Sequence, residues 1–329
     1  MLFGCTIFTF ICQSRSLVFR WFFFKKLEFA SCGNSFIAVQ CKKLHSNAKN
    51  SKVPDLINPS QRSQRTKQIA LLTIFTALYI VLRFIPYSLV IGGAGGYLSF
   101  SDFLAPIIGI LLGPYFGGLT VLLGNFGALG FGRAPVFITT PFLDFLPDFV
   151  AVVSVGFLMQ RKWWPVVALN AGLLALFFAD PLTSIFVTIP GTAISIPFAW
   201  LHIAAFIVLL SPLGRWAGRW VATAAKPKLV AVGLVTLTFV ATMMQHLAGN
   251  LLFEVSFGQI GNPPIIPVAA WPAEWTGVLF AYPVERTILI VCAVLVGTPL
   301  IWTVRRNHFL QIGKQKQPKI AATQQPTTS

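Results

Sequence analysis

From residue 68 onward the chain is a succession of apolar runs, cut by short polar or glycine- and proline-rich connectors. The runs are continuous rather than alternating, the pattern of lipid-embedded helices and not of barrel strands. Eight spans are predicted: 68–85, 101–112, 114–130, 142–160, 165–179, 193–210, 229–252 and 283–303. At roughly 1.5 Å per residue the first is long enough to cross a bilayer. The second is short for a full crossing, which implies tilt or burial within the bundle. Leu182 to Ile189 either prolongs the fifth span or forms a broken element between Pro181 and Pro190. The predicted fold class is all-α: a polytopic transmembrane helix bundle of about eight spans over residues 68–303.

Residues 69–132 organise the bundle. Glycines at 109, 113 and 117 recur every fourth position, placing them on one helix face. Glycine there lets helix backbones approach closely in lipid. Pro114 suits the first turn of a new helix. The prediction is two helices meeting at a tight turn at Gly113-Pro114, with their small faces turned inward.

Composition agrees with membrane residence. The chain is 55% hydrophobic and 10% charged, with mean hydropathy +0.74, against about 25% charged residues in a soluble domain. The net charge of +16 does not indicate nucleic acid. Lysine and arginine concentrate before residue 68, after 303 and in two interior connectors, as cytoplasmic loops do. With the N-terminus inside, eight crossings place Arg161-Lys162, the Arg215/Arg219/Lys226/Lys228 connector and Arg305-Arg306 on the cytoplasmic side. Both termini are then cytoplasmic, in a multi-pass protein of the cell membrane. Residues 1–67 differ from the rest: broken apolar clusters up to Phe24, then a basic, polar stretch from Lys42 to Lys67 expected to be disordered. They read as an upstream start ahead of a natural beginning near Ser60, or as an interfacial amphipathic anchor. Residues 304–329 read as a disordered cytoplasmic tail. Of five cysteines, Cys5, Cys12, Cys32 and Cys41 lie in the first 41 residues and none has zinc-finger spacing.

Four features together resemble the substrate-binding S component of energy-coupling factor (ECF) vitamin transporters. They are a small-residue first helix (Leu71 to Tyr79, with Thr73 and Ala77 four apart), the Ser101-Asp102 helix start, the LLGPYFGG turn at Leu111 to Gly118, and the GNFGALG exit at Gly124 to Gly130. The similarity covers about a fifth of the chain well and the last helix loosely. It implies a membrane protein that captures a small nutrient such as a vitamin. It also implies partners: a transmembrane coupling subunit and two ATPase subunits. Thr73 and Ala77 would face the coupling subunit, and the Ile91 to Tyr97 loop would serve as a lid, with a plain flexible connector as the other reading. S components usually have six helices, so two spans here are additions or re-entrant segments.

The predicted topology gathers seven acids at the outer side: Asp102, Asp144, Asp148, Asp180, Glu254, Glu274 and Glu285, with Arg83, Arg133 and Arg286. Asp102, Asp148 and Glu285 follow serine or proline at predicted helix starts, where an acid satisfies first-turn amides and the dipole. Asp180 and Glu254 end helices, where an anion gains nothing from the dipole, so both are substrate-binding candidates. Arg83 is a third, able to neutralise an acid or hold an anionic group. His246 and Asn250, one turn apart on a single face, are candidate pocket residues, with interhelical hydrogen bonding as the other reading. Trp275 lies in the connector 256–282 with Trp271 and Tyr282, either in an interfacial belt or stacked on a flat ligand.

No HExxH, GxSxG or Walker signature occurs, so neither an enzyme, a cofactor nor a metal is expected. Without an ATP site of its own, active transport would draw on partner ATPases or on an ion gradient. The gradient reading needs a deep carboxylate, which only Glu285 supplies, and only if the last helix begins near Glu274. A structural membrane protein without substrate is the third class; an enclosed outer cavity would speak against it.

Overall fold

The computed structural model describes residues 59–89, 97–260 and 263–307, all within the unit Pro59–Ser329. The predictions made for the N-terminal extension up to residue 58, most of the glycine-rich loop and most of the C-terminal tail lie outside those residues. The described chain is an all-α bundle of eight helices: α1 Pro59–Arg83, α2 Ser101–Gly130, α3 Leu146–Met159, α4 Trp163–Ala179, α5 Trp200–Leu210, α6 Pro212–Thr223, α7 Pro227–Glu254 and α8 Trp271–Arg306. Two small antiparallel ribbons complete it: β1 Pro86–Leu89 with β2 Tyr97–Ser99, and β3 Phe186–Thr188 with β4 Ser195–Pro197. Among the described residues, five helices are long and apolar enough to cross a membrane, six if the bent pair α5–α6 is one span. This is a membrane protein.

The hinge in α2 is the pivot of the bundle. Gly113 has φ 75° and ψ −175°, a left-handed conformation that breaks the helix and that glycine adopts at little steric cost. A Cβ on Gly117 would lie 3.4 Å from the Ile108 carbonyl oxygen. In a straight helix residues nine apart would be separated by about 13 Å. The two halves therefore fold back on each other. Their small faces take up α3: a Cβ at Gly109 would meet the Val152 carbonyl at 2.6 Å, and one at Gly156 would meet Pro114 N at 2.3 Å. The inward-facing hairpin predicted from the glycine spacing is present.

Side-chain contacts sort the helix ends. Tyr79 and Arg83 of α1 meet the start of α3, and Gln245 in the last third of α7 meets Asp148 there too. At the opposite end Trp163 donates to Leu209 O at 2.8 Å, and Arg305 reaches Val221 O and Ala224 O at 3.1 and 2.8 Å. The Arg215 guanidinium lies 4.3 Å from the Trp163 ring centroid. The basic connectors share one end. Asp102, Asp144 and Asp148 share the other with Arg83 and Arg133.

Four boundaries differ from the sequence-based expectation. α1 begins at Pro59 rather than near 68, so residues 59–67 of the stretch expected to be disordered are helical. The sixth span is reduced to α5, because Ser195–Pro197 pairs with Phe186–Thr188 before the helix begins. The residues after α5 form α6, bent from it by 70° at Ser211-Pro212. The Ser211 hydroxyl accepts from Leu213 N at 3.2 Å, capping this new helix. The last helix begins at Trp271 rather than near Pro283. Pro272 in the first turn and Glu274 after it make an ordinary helix start, and Pro283 is absorbed within the helix. The core divides into an aliphatic cluster on α2, α3 and α7, and an aromatic cluster of Phe177, Phe198, Phe253, Trp271, Trp275 and Tyr282.

Candidate functional site

Apolar helices that carry charges must pair them, because an isolated ion in this setting is costly. Here the pairing builds a site. Arg83, in the last turn of α1, bonds Asp144 at 2.6 Å and Asn125 at 2.5 Å. Asp144 also receives Arg133 at 3.3 Å and the backbone amides of Val136 and Phe137 at 3.0 and 3.2 Å. Arg133 closes the ring by donating from Nε to Arg83 O at 2.8 Å. Burial and the adjacent Arg83 both lower the Arg133 pKa from its ordinary value, whereas Asp144 opposes that shift.

Beside this hub a cavity of about 820 Å³, counted out to its mouth, opens between α1, α2, α3, α7 and α8. Asp102, Asp144, Asp148 and Glu285 face it, with Arg83 and Arg286. Asp148 accepts from the Tyr79 hydroxyl on one oxygen and from the Gln245 amide on the other. Asp102 accepts from the Tyr87 hydroxyl at 3.2 Å, a phenol whose burial pushes its pKa well above the usual value and keeps it a donor. Glu285 accepts from Ser88 and lies 3.7 Å from Arg286. Val136, Phe137, Phe253 and Val278 supply the apolar wall.

His246 and Asn250 line the same cavity, as does Arg83. Behind His246 the rings continue as a stack. Its Nδ1 lies 3.0 Å from His202 Nε2, and Tyr282 packs on it with centroids 4.9 Å apart. Four buried atoms of lining residues have no partner: Arg83 Nε, Gln245 Oε1, Asn250 Nδ2 and Arg286 Nε.

Asp180, Glu254 and Trp275 lie outside this cavity. Asp180 accepts from Leu182 N at 2.9 Å and from Gln259 at 2.6 Å. Glu254 is buried and accepts from Thr183 at 2.5 Å. Trp275 is buried in the aromatic cluster, its Nε1 donating to Leu182 O at 2.8 Å. Thr73 and Ala77 are exposed on α1, beside Ile69, Ile74 and Val81.

Asp102 and Asp148, for which the sequence offered a capping role, make no side-chain cap bond at their helix starts. Glu285 stands 14 residues inside α8 and caps nothing. The signal pointing to all three was charge parity: three arginines in apolar surroundings require carboxylates near them. Among the described residues no group of three or more histidines, cysteines and acids is placed to hold a metal ion.

Fold and site together define a polytopic membrane protein with a charged, partly enclosed cavity at one end of its bundle. No protein-family profile matches the chain, and no solved structure does. It is similar to an uncharacterized protein of Methanocaldococcus jannaschii, 24% identical over 176 residues. The match covers 53% of this chain and 54% of that relative, so the chain spans about half the length of the curated relative it matches.

Proposed function

We propose that the protein is the substrate-capturing membrane component of an ECF-type importer for a small nutrient. The observation that carries the reading is the cavity. It opens among the acidic helix ends, whereas the other end of the bundle is filled by aliphatic side chains of α2, α3 and α7. A receptor that takes a solute from one side and passes it on through a partner needs such a closed-bottomed cup. The exposed face of α1 supports the partner half of the proposal. Thr73 and Ala77 are small and exposed among larger apolar neighbours, which suits a close-packed helix of a coupling subunit. Two ATPase subunits would supply the energy.

The test is uptake in cells. Import should survive an uncoupler and stop when the ATPase subunits are removed. Thr73→Trp or Ala77→Trp should abolish import and leave binding by the purified protein intact. Unimpaired import by both variants would remove the coupling role.

One observation favours a second reading, an ion-coupled secondary transporter. Because α8 starts at Trp271, Glu285 sits well inside a helix and faces the cavity, where a carboxylate that gains and loses a proton would be needed. Import lost on uncoupling and indifferent to ATPases would select it.

A further inference from the structure

The cavity's charges point to the class of ligand, on the understanding that the cavity is the capture site. Four carboxylates (Asp102, Asp144, Asp148, Glu285) meet three guanidiniums (Arg83, Arg133, Arg286). One negative charge remains. The His202–His246 pair adds no formal charge when neutral, and ring nitrogens 3.0 Å apart share a single proton at that contact.

The guanidiniums have prior partners: Arg83 and Arg133 hold Asp144, and Arg286 lies by Glu285. Asp102 differs. It is 5% exposed, and its side-chain partners are hydroxyls, Tyr87 at 3.2 Å and Ser101 at 3.4 Å. Among the described residues it has no cation within 4.0 Å. A buried carboxylate facing a cavity without an ion partner is a place where a cationic ligand recovers the missing pairing.

A second, independent feature also asks for a ligand. Asn250 Nδ2 and Gln245 Oε1 belong to residues that line the cavity and are at least nine-tenths buried, and neither atom has a hydrogen-bond partner. They offer one donor and one acceptor to a neutral polar edge. The apolar walls of Phe137, Phe253 and Val278 suit an organic body rather than a bare metal ion, which would need several oxygens converging at short range.

We propose that the cavity takes a small organic monocation, a protonated amine or cationic heterocycle, with its positive group at Asp102 and a neutral polar edge against Asn250 and Gln245. Benzylamine, benzyl alcohol, benzoate and sodium chloride separate the possibilities, with binding to the purified full chain in detergent read by calorimetry and thermal shift. Benzylammonium is expected to bind at least about tenfold more tightly than benzyl alcohol, as one recovered charge pair implies. Benzoate is expected not to bind. Asp102→Asn should erase the preference for the amine, Asp102→Glu should restore it, and Glu274→Gln, outside the cavity, should leave it unchanged.

Benzoate binding as well as the amine, or an amine preference that survives Asp102→Asn, overturns the charge assignment and leaves the capture reading standing. Equal stabilisation by sodium chloride also overturns it, in favour of an inorganic ion. Failure of all three aromatic probes to bind sinks the cation assignment and the capture reading together.

Discussion

At the scale of single residues, Arg83 decides whether this end of the bundle holds together. It joins α1 to the turn before α3 through Asp144 and to α2 through Asn125, and its side chain is 5% exposed. Removing one partner of a buried ion pair typically costs about 3–5 kcal/mol, because the other charge stays buried. Arg133 remains on Asp144, so Arg83→Met should fall at the lower end, about 3 kcal/mol. Thermal unfolding in detergent measures it, and a loss under about 1 kcal/mol would mean that Arg133 alone can neutralise Asp144. That Arg83, His246 and Asn250 would lie at the cavity was legible because a polar side chain within an apolar run has few uses other than pairing or binding. Asp102 and Asp148 were not. An acid just after serine or proline at a helix start looks the same in sequence whether it caps the helix or faces a cavity, and only the partners Tyr87, Tyr79 and Gln245, distant along the chain, distinguish the two.

At the scale of elements, the α2 hairpin against α3 is the contact the glycines exist to permit. Gly156 has no room for a side chain, since a Cβ would sit 2.3 Å from Pro114 N and 2.7 Å from Gly113 C, both backbone atoms that cannot swing away. Gly156→Leu should therefore destabilise by more than the about 1–3 kcal/mol usual for overpacking, and should loosen the hairpin enough to disturb binding at its far end. Gly172 in α4 is the control: a Cβ there meets nothing within 4 Å. Gly172→Ala should be neutral or stabilising by up to about 1 kcal/mol, as expected for glycine in a helix interior. Equal effects of the two changes would refute the close packing. Here the glycine spacing was enough to read the hairpin from sequence. The limits of α5 and α8 were not readable in that way. Ser195–Pro197 is drawn out of the sixth span by pairing with Phe186–Thr188. Pro283, a natural helix start in isolation, is carried inside α8, as membrane helices tolerate proline more readily than soluble ones.

For the whole molecule, the physical division is between two ends. One gathers carboxylates, guanidiniums and the cavity. The other carries Arg161, Lys162, Arg215, Arg219, Lys226, Lys228, Arg305 and Arg306 with no acid among them. Basic connectors are retained in the cytoplasm during insertion, so the cavity should open to the outside. Cysteine substitution tests this directly, in a background from which the native cysteines have been removed. Val268, 69% exposed just before α8, reports the cavity end. Arg219, exposed on α6, reports the other. Val268→Cys should react with a membrane-impermeant maleimide on intact cells, whereas Arg219→Cys should react only after permeabilisation. The reverse pattern would turn the cup toward the cytoplasm. It would then be unable to take a solute from outside, and the charge asymmetry would need another cause. Among the described residues only five or six helices reach full membrane length. The first half of α2 and all of α5 measure about 17–18 Å at 1.5 Å per residue, too short to cross the hydrocarbon alone. The first half of α2 is nonetheless buried within the bundle and ends beside the cavity at Asp102, whereas α5 lies at its edge, with Trp200, Ile203, Ile207 and Leu210 exposed.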